Sequence, residues 1–172
     1  MTSSSSFAEL FDAFEHEAFR LETLDDYSQS GNVDAYRAFL AGEEKPDGYN
    51  SAWLNEVSRH TAAGKLVHRV HVLSRPLTPY LRFELGWGYR TNSEAGEQFF
   101  ILDVTDTPNP IAGAPDFWLM DGQHAAVMEY DDAGKFLGAD VATDESGRFA
   151  SYREAALAHA EPFVDWWAKY GE

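Results

Sequence analysis

The sequence predicts an α+β protein, and three observations carry that prediction. Before residue 64, apolar residues recur at helical spacing in three successive segments. After it come short apolar runs rich in β-branched and aromatic residues, 66–73 and 98–103. Residues 116–142, DFWLMDGQHAAVMEYDDAGKFLGADVA, then read as three short strands joined at Asp121-Gly122 and at Asp131-Asp132-Ala133-Gly134. Asp-Gly between apolar runs favours a type I′ hairpin, because both central residues of that turn need positive φ. Helices, then strands with one inserted helix, then a closing helix give an α+β order. The expected sheet is mixed, with about five strands and an antiparallel meander.

Each element has its own warrant. Phe7, Leu10, Phe11, Phe14 and Ala18 share one helical face, which predicts a first helix running to about Leu21. A connector follows at residues 25–28. Residues 33–40 form a second helix, with Asn32 as cap and Gly42 as stop. After a polar loop at 43–48, residues 51–63 make a third helix with Trp53, Leu54 and Val57 as its stripe. Residues 66–73 are a strand. Residues 76–80 open a helix whose prolines suit a first turn, and Gly86 and Gly88 end or bend it. Residues 90–97 are expected as a loop and 98–103 as a strand. The last helix, 148–170, contains Pro162, which should kink or divide it. Residues 1–6 are expected as a disordered serine leader and 7–172 as a single domain. Its helical part is 7–64; the sheet and closing helix are 65–172.

Composition removes several function classes. The chain of 172 residues is 44% hydrophobic, enough for a sizeable core. It has no cysteine, which excludes disulfides, thiolate nucleophiles and cysteine-ligated metals. No run approaches the roughly 18 apolar residues of a membrane span, and the amino terminus lacks the features of a secretory signal. A cytoplasmic protein with no membrane association is expected. Its net charge of −16 argues against direct nucleic-acid binding and suits a basic protein partner. The exception is residues 65–93, where Lys65, Arg69, Arg75, Arg82 and Arg90 face only Glu84. That island is either a solvated strand and helix or a site for a small anionic ligand.

Most catalytic motifs are absent. There is no HExxH, EF-hand loop, Walker A loop, dinucleotide fingerprint or GxSxG elbow. His68 and His71 would share a helix face but point to opposite faces of a strand, so they are not expected to pair on a metal. His16, His60, His124 and His159 read as surface or packing residues, and Trp166-Trp167 as a core clamp. One constellation remains: Arg69 and His71 on the strand, Arg82 and Glu84 on the inserted helix, and Asn92, Glu94 and Glu97 after it. Converging at one end of the sheet, they would form a binding or acid–base site. Otherwise Asn92 and Glu94 cap a turn, Gly96 supplies positive φ and Glu97 pairs with an arginine.

Two resemblances complete the reading. The segments AFRLET at 18–23, RVHV at 69–72, PLTPYLRFEL at 76–85, NSEAGE at 92–97 and DFWLMD at 116–121 resemble a family of small, acidic, uncharacterised actinobacterial proteins. Members are commonly encoded beside helix-turn-helix regulators, which implies a non-enzymatic regulatory accessory role with such a regulator as partner. Where that family has arginine in its RVRV strand, this chain has His71. Residues 114–122 also resemble the catalytic strip of phospholipase D-like domains, HxK(x)4D. There Ala114 stands in place of the histidine and Asp116 in place of the lysine; only Asp121 and Gly122 match. This implies an inactive version of such a fold, of the kind used as sensor or interaction domains. The expected function is therefore a regulatory interaction protein, or a small-molecule sensor or enzyme built on the constellation. No cofactor is implied.

Overall fold

The computed structural model describes residues 4–171. The elements follow in the order α1 Ser4–Ala13, β1 Glu17–Glu22, α2 Val33–Leu40, α3 Ser51–Ala62, β2 Leu66–Leu73 and α4 Pro79–Phe83. A π-helical segment, Glu84–Tyr89, joins α4 to α5 Arg90–Glu94. Then come β3 Gln98–Asp103, β4 Phe117–Met120, β5 His124–Tyr130, β6 Phe136–Val141, α6 Ser146–His159, β7 Glu161–Pro162 and α7 Phe163–Tyr170. The α+β class is as predicted, but the mixed sheet has seven strands, in the order β6-β5-β4-β1-β2-β3-β7. The β1–β2–β3 unit is parallel and every other pairing antiparallel. Among the described residues no helix is long and apolar enough to cross a membrane. Of the expected leader, residues 1–3 lie outside the described residues, and residues 4–6 belong to α1.

The sheet is covered on both faces. On one, Phe19, Leu21, Val70, Val72, Leu102, Phe117 and Leu119 pack with Phe149 and Ala156 of α6. On the other there are two apolar clusters. One joins α1 and α3 to Ala18, Val67, Trp118 and Met120; the second joins α2, the α4-to-α5 run and α7 to Leu73, Phe99 and Ile101. A strip of polar side chains crosses the sheet on this second face.

Two expectations are corrected. The first helix does not reach Leu21. It stops at Ala13, and Glu17–Glu22 is the central strand β1, buried on both faces. A strand with no solvent face shows no clean alternation, so the helical repeat of Phe7–Ala18 overran it. Residues 90–97 are not all loop: the helix passes through Gly86 and Gly88 as a π-helical segment and continues to Glu94. Pro162 divides the last helix, as expected. It and Glu161 form an edge strand on Phe100 and Ile101, where a proline is tolerated because one side of an edge strand needs no donor.

The meander is as predicted, and Asp121 (φ 53) with Gly122 (φ 67) makes its tight turn. Asp121 does more than turn the chain. Its carboxylate accepts the backbone N–H groups of Glu15, His16 and Glu17 at 2.8, 2.7 and 2.9 Å, delivering α1 into β1. Burial pushes its carboxyl up, but these bonds outweigh that and hold it below the ordinary aspartate range. Gly134 (φ 78) lets the second turn press on the 25–30 connector, where a Cβ would overlap the Asp26 carbonyl oxygen. Two outcomes follow for denaturant melts. Asp121→Ala should cost about 1–3 kcal/mol at pH 7, for three lost hydrogen bonds to a carboxylate. The loss should shrink as pH falls through the depressed Asp121 pKa, since protonation of the wild-type carboxylate removes the same stability. Gly134→Ala should cost more than about 1 kcal/mol at any pH, from positive φ and the clash.

Candidate functional site

The polar strip is built by register. Arg20 of β1 pairs with Arg69 of β2 on one side and Trp118 of β4 on the other, and Arg69 continues to Phe99 of β3. One rung along, Glu22 lies beside His71, and His71 beside Ile101. Parallel pairing in register thus sets two arginines, a glutamate and a histidine side by side on one face. Arg20, Glu22, His71, Glu97 and Asp116 are each 0–4% exposed, so their partners have to come from the protein.

The partners are specific. Arg69 donates to Glu22 at 2.9 Å and to both oxygens of Glu97 at 3.2 Å. Its guanidinium carbon lies 5.5–6.0 Å from the rings of Trp53, Tyr89, Phe99 and Trp118, and Trp53 also donates to Glu97 at 2.9 Å. Arg20 donates to Asp116 at 3.1 Å and to the Tyr130 hydroxyl at 2.9 Å. Asp116 in turn accepts from the Tyr27 and Thr23 hydroxyls, each at 2.5 Å. His71 Nε2 lies 2.8 Å from the Leu24 carbonyl oxygen, and Nδ1 2.9 Å from the Tyr89 hydroxyl, which donates to Glu22 at 2.5 Å. His71 and Glu22 are thus linked through one tyrosine.

The two glutamates at the centre diverge. Burial pushes Glu22 up, but Arg69, His71 and Arg20 outweigh it and hold its carboxyl far below the usual range. Glu84, on the π-helical segment, is held well above that range by burial and by the Glu22 carboxylate beside it. Glu22 is therefore the anion and Glu84 the neutral acid. Two carboxyls whose surroundings drive them apart are a recognised mark of functional sites. Tyr49, facing the same space, is raised to about 12 by burial and the proximity of Glu84, so it stays a hydroxyl donor.

Above the strip lies a cavity of about 280 Å³. Its walls are aromatic, including Tyr27, Tyr49, Trp53, Tyr80, Trp118 and Tyr130, and Asn32, Asn50 and Asn92 stand at its rim. Among the described residues four buried side-chain polar atoms have no hydrogen-bond partner, and Arg20 Nη1, Arg69 Nε and Glu84 Oε2 are three of them. All three residues line this cavity. Unsatisfied buried polar groups are few in folded proteins, so their gathering around one space marks it for a ligand. The segment carrying α2 lines the space through its two ends, residues 30–32 and 49–50. It is held by Ser30 on Gly134, Lys45 on Thr91 and Asn50 on Asn92, and α2 itself has no fully buried residue.

Glu22, His71 and Glu84 also bring ligand atoms within 4.8 Å of one another, a donor set that a divalent cation uses. The surroundings oppose it. Both His71 nitrogens already have oxygen partners, Arg69 occupies Glu22, and Arg20 adds a second buried positive charge. The strip is arranged for protons and anions.

Of the residues expected from sequence, Arg69, His71, Glu84, Asn92 and Glu97 meet here. Arg82 and Glu94 do not: both are exposed, and Arg82 lines a different cleft. Glu97 does pair with Arg69 and Gly96 does take positive φ (101°), as the simpler reading held. His68 points to the opposite face, toward Glu17 at 2.7 Å, and His60 packs on Phe11 and Phe14. The residues missed were Arg20, Glu22, Asp116 and the aromatic walls. A signal existed: Arg20-Leu21-Glu22 and Arg69-Val70-His71 carry charge at i and i+2 inside apolar runs, the same pattern on two strands.

Fold and site together define a mixed-sheet α+β domain with a charge-lined cavity over its central strands. The chain belongs to the family of the domain of unknown function DUF6879, whose model matches residues 5–168. No curated protein matches it.

Two stability measurements probe the site. Arg69→Met should cost about 3–5 kcal/mol, because two buried carboxylates lose their counter-charge, whereas Arg82→Ala should stay within about 0.5 kcal/mol. Glu84→Gln should be stabilising relative to wild type, increasingly so from pH 4 to pH 8. Above the unfolded glutamate pKa only the unfolded chain gives up this proton, so wild-type stability falls as pH rises toward the raised folded pKa. Glutamine carries no such dependence. Parallel melting curves for the two proteins would show an offset independent of pH if Glu84 titrated normally.

Proposed function

We propose that this protein is a sensor that binds a small carboxylate-bearing metabolite in the cavity over β1 and β2. The observation carrying this reading is the pair of unpartnered buried guanidinium N–H groups, on Arg20 and Arg69, with Glu84 beside them around a single aromatic-walled space. A carboxylate would satisfy the two arginine donors, and a donor group elsewhere on the ligand would satisfy Glu84. A small hydroxycarboxylate, whose hydroxyl is an uncharged donor, has both. No step of chemistry is required of the site, in keeping with a regulatory role, and the likeness to inactive phospholipase D-like sensors points the same way.

The resemblance to actinobacterial proteins encoded beside helix-turn-helix regulators supplies the natural reader of such a signal. A net charge of −16 favours a basic partner of that kind in the cytoplasm, without direct contact to nucleic acid. The α2 segment, lightly anchored, is the one through which occupancy would be felt at the surface.

Thermal shift against hydroxy acids and other small carboxylates tests the binding. A ligand at a hundredfold excess over its Kd adds about 2.7 kcal/mol, a rise of several degrees for a chain of this size. An anion beside Glu84 favours its protonated form, so affinity should weaken as pH rises through the raised Glu84 pKa. Glu84→Gln should flatten that profile. If no carboxylate shifts the transition, or if the wild-type and Glu84→Gln profiles coincide, the reading fails.

A further inference from the structure

The helical run 79–94 has a second side. Glu84 and Tyr89 face the sheet cavity, while Arg82, Gly86, Trp87 and Arg90 line a separate cleft of about 450 Å³ with Arg75 and Trp167. Arg75 is engaged there: it bonds Asp103 at 2.7 Å and Asp106 at 3.2 Å and lies 4.0 Å from the centre of the Tyr170 ring. Arg82 and Arg90 are exposed and have no hydrogen-bond or ion-pair partner among the described residues. On a chain with more than two acidic groups for every basic one, two unpaired arginines at one cleft are out of keeping with the rest of the surface. The basic island read in the sequence thus divides: Arg69 is consumed in the sheet, and the accessible positive charge collects here.

We infer that this cleft is a second ligand site and that it takes a nucleoside phosphate. Guanidinium groups match phosphate oxygens in charge and in their planar pair of donors. Trp87 and Trp167 both line the cleft, and a planar base stacks on indole rings whatever its sequence identity. The volume is that of a single small-ligand pocket rather than of an extended peptide groove. Gly86 lies against Trp167, where an added Cβ would be in contact at 3.7 Å. The site is independent of the sheet cavity in every residue named, so its failure would leave the carboxylate reading standing.

The test is calorimetric titration of the full chain with adenosine and guanosine mono-, di- and triphosphates, the free nucleosides and inorganic phosphate. Saturable binding by a nucleotide is expected, with nucleoside and inorganic phosphate each at least tenfold weaker. Arg82→Ala and Arg90→Ala should each weaken it about tenfold or more while leaving the melting temperature near wild type, and Glu84→Gln should leave it unchanged. Absence of saturable binding by any nucleotide overturns the inference. So does binding that persists in the Arg82→Ala/Arg90→Ala double variant, or inorganic phosphate binding as tightly as the nucleotides.

Discussion

The ion pair between Arg69 and Glu22 is the constraint on which the rest of this protein depends. Both groups are almost out of water, at the centre of the sheet, and each would cost several kcal/mol to bury alone. Their presence dictates what may surround them. Glu97 completes Arg69, Tyr89 completes Glu22, and His71 is drawn in through that tyrosine. Four aromatic rings around the guanidinium offer their electron-rich faces where further carboxylates would overcharge it. Register follows from the same requirement. A slip of one residue between β1 and β2 would turn Arg69 into the apolar layer beneath α6, away from Glu22. The charged strip therefore makes competing pairings costly, while the two apolar layers supply most of the stability.

That economy leaves one oddity, Glu84. A second carboxyl next to a buried carboxylate adds repulsion, and a glutamine of the same shape would avoid it. It is presented by a π-helical segment, a departure from the ordinary helical ladder that is found disproportionately at functional sites. The segment also allows the helix to continue through Gly86 and Gly88 without breaking. A Cβ on Gly88 would add contacts at 3.5 Å to the Tyr49 hydroxyl and 3.9 Å to Glu84, in the space the cavity occupies. Backbone irregularity, a strained proton and open volume coincide at one place. A stability-only account explains none of the three; a ligand that needs a neutral acid beside two arginines explains all of them.

How much of this could be read in the chain depended on whether the signal was local. The Asp121-Gly122 turn, the strand 66–73 and the helix 33–40 are written in adjacent residues, and the structure has them where expected. The candidate site was half legible for the same reason. Arg69, His71, Glu84 and Glu97 lie on segments whose type was evident, whereas Asn92 belongs to a helix where a loop was expected. Arg20 and Glu22 were hidden because a strand buried on both faces resembles the end of the amphipathic helix before it. Asp116 and Tyr27 were hidden because their roles exist only through contacts 96 and 89 residues apart in sequence. Arg82 and Glu94 were drawn in by nearness along the chain, although a helix turns neighbours to different sides.

The same geometry links the two clefts. The run 79–94 carries Glu84 on one side and Arg82 and Arg90 on the other, with Phe83 and Trp87 packed between them and under α2 through Tyr36 and Phe39. Closely packed aromatic layers shift between discrete arrangements rather than deforming smoothly. A ligand that changes the position of Glu84 must be accommodated by that layer, and the layer's other surface is the wall of the basic cleft. Coupling between two sites requires differential contacts in two states of a shared element. The helical run 79–94 supplies side chains to both cavities described here, and the segment carrying α2 does so too, through Asn32 on one side and Phe39 on the other.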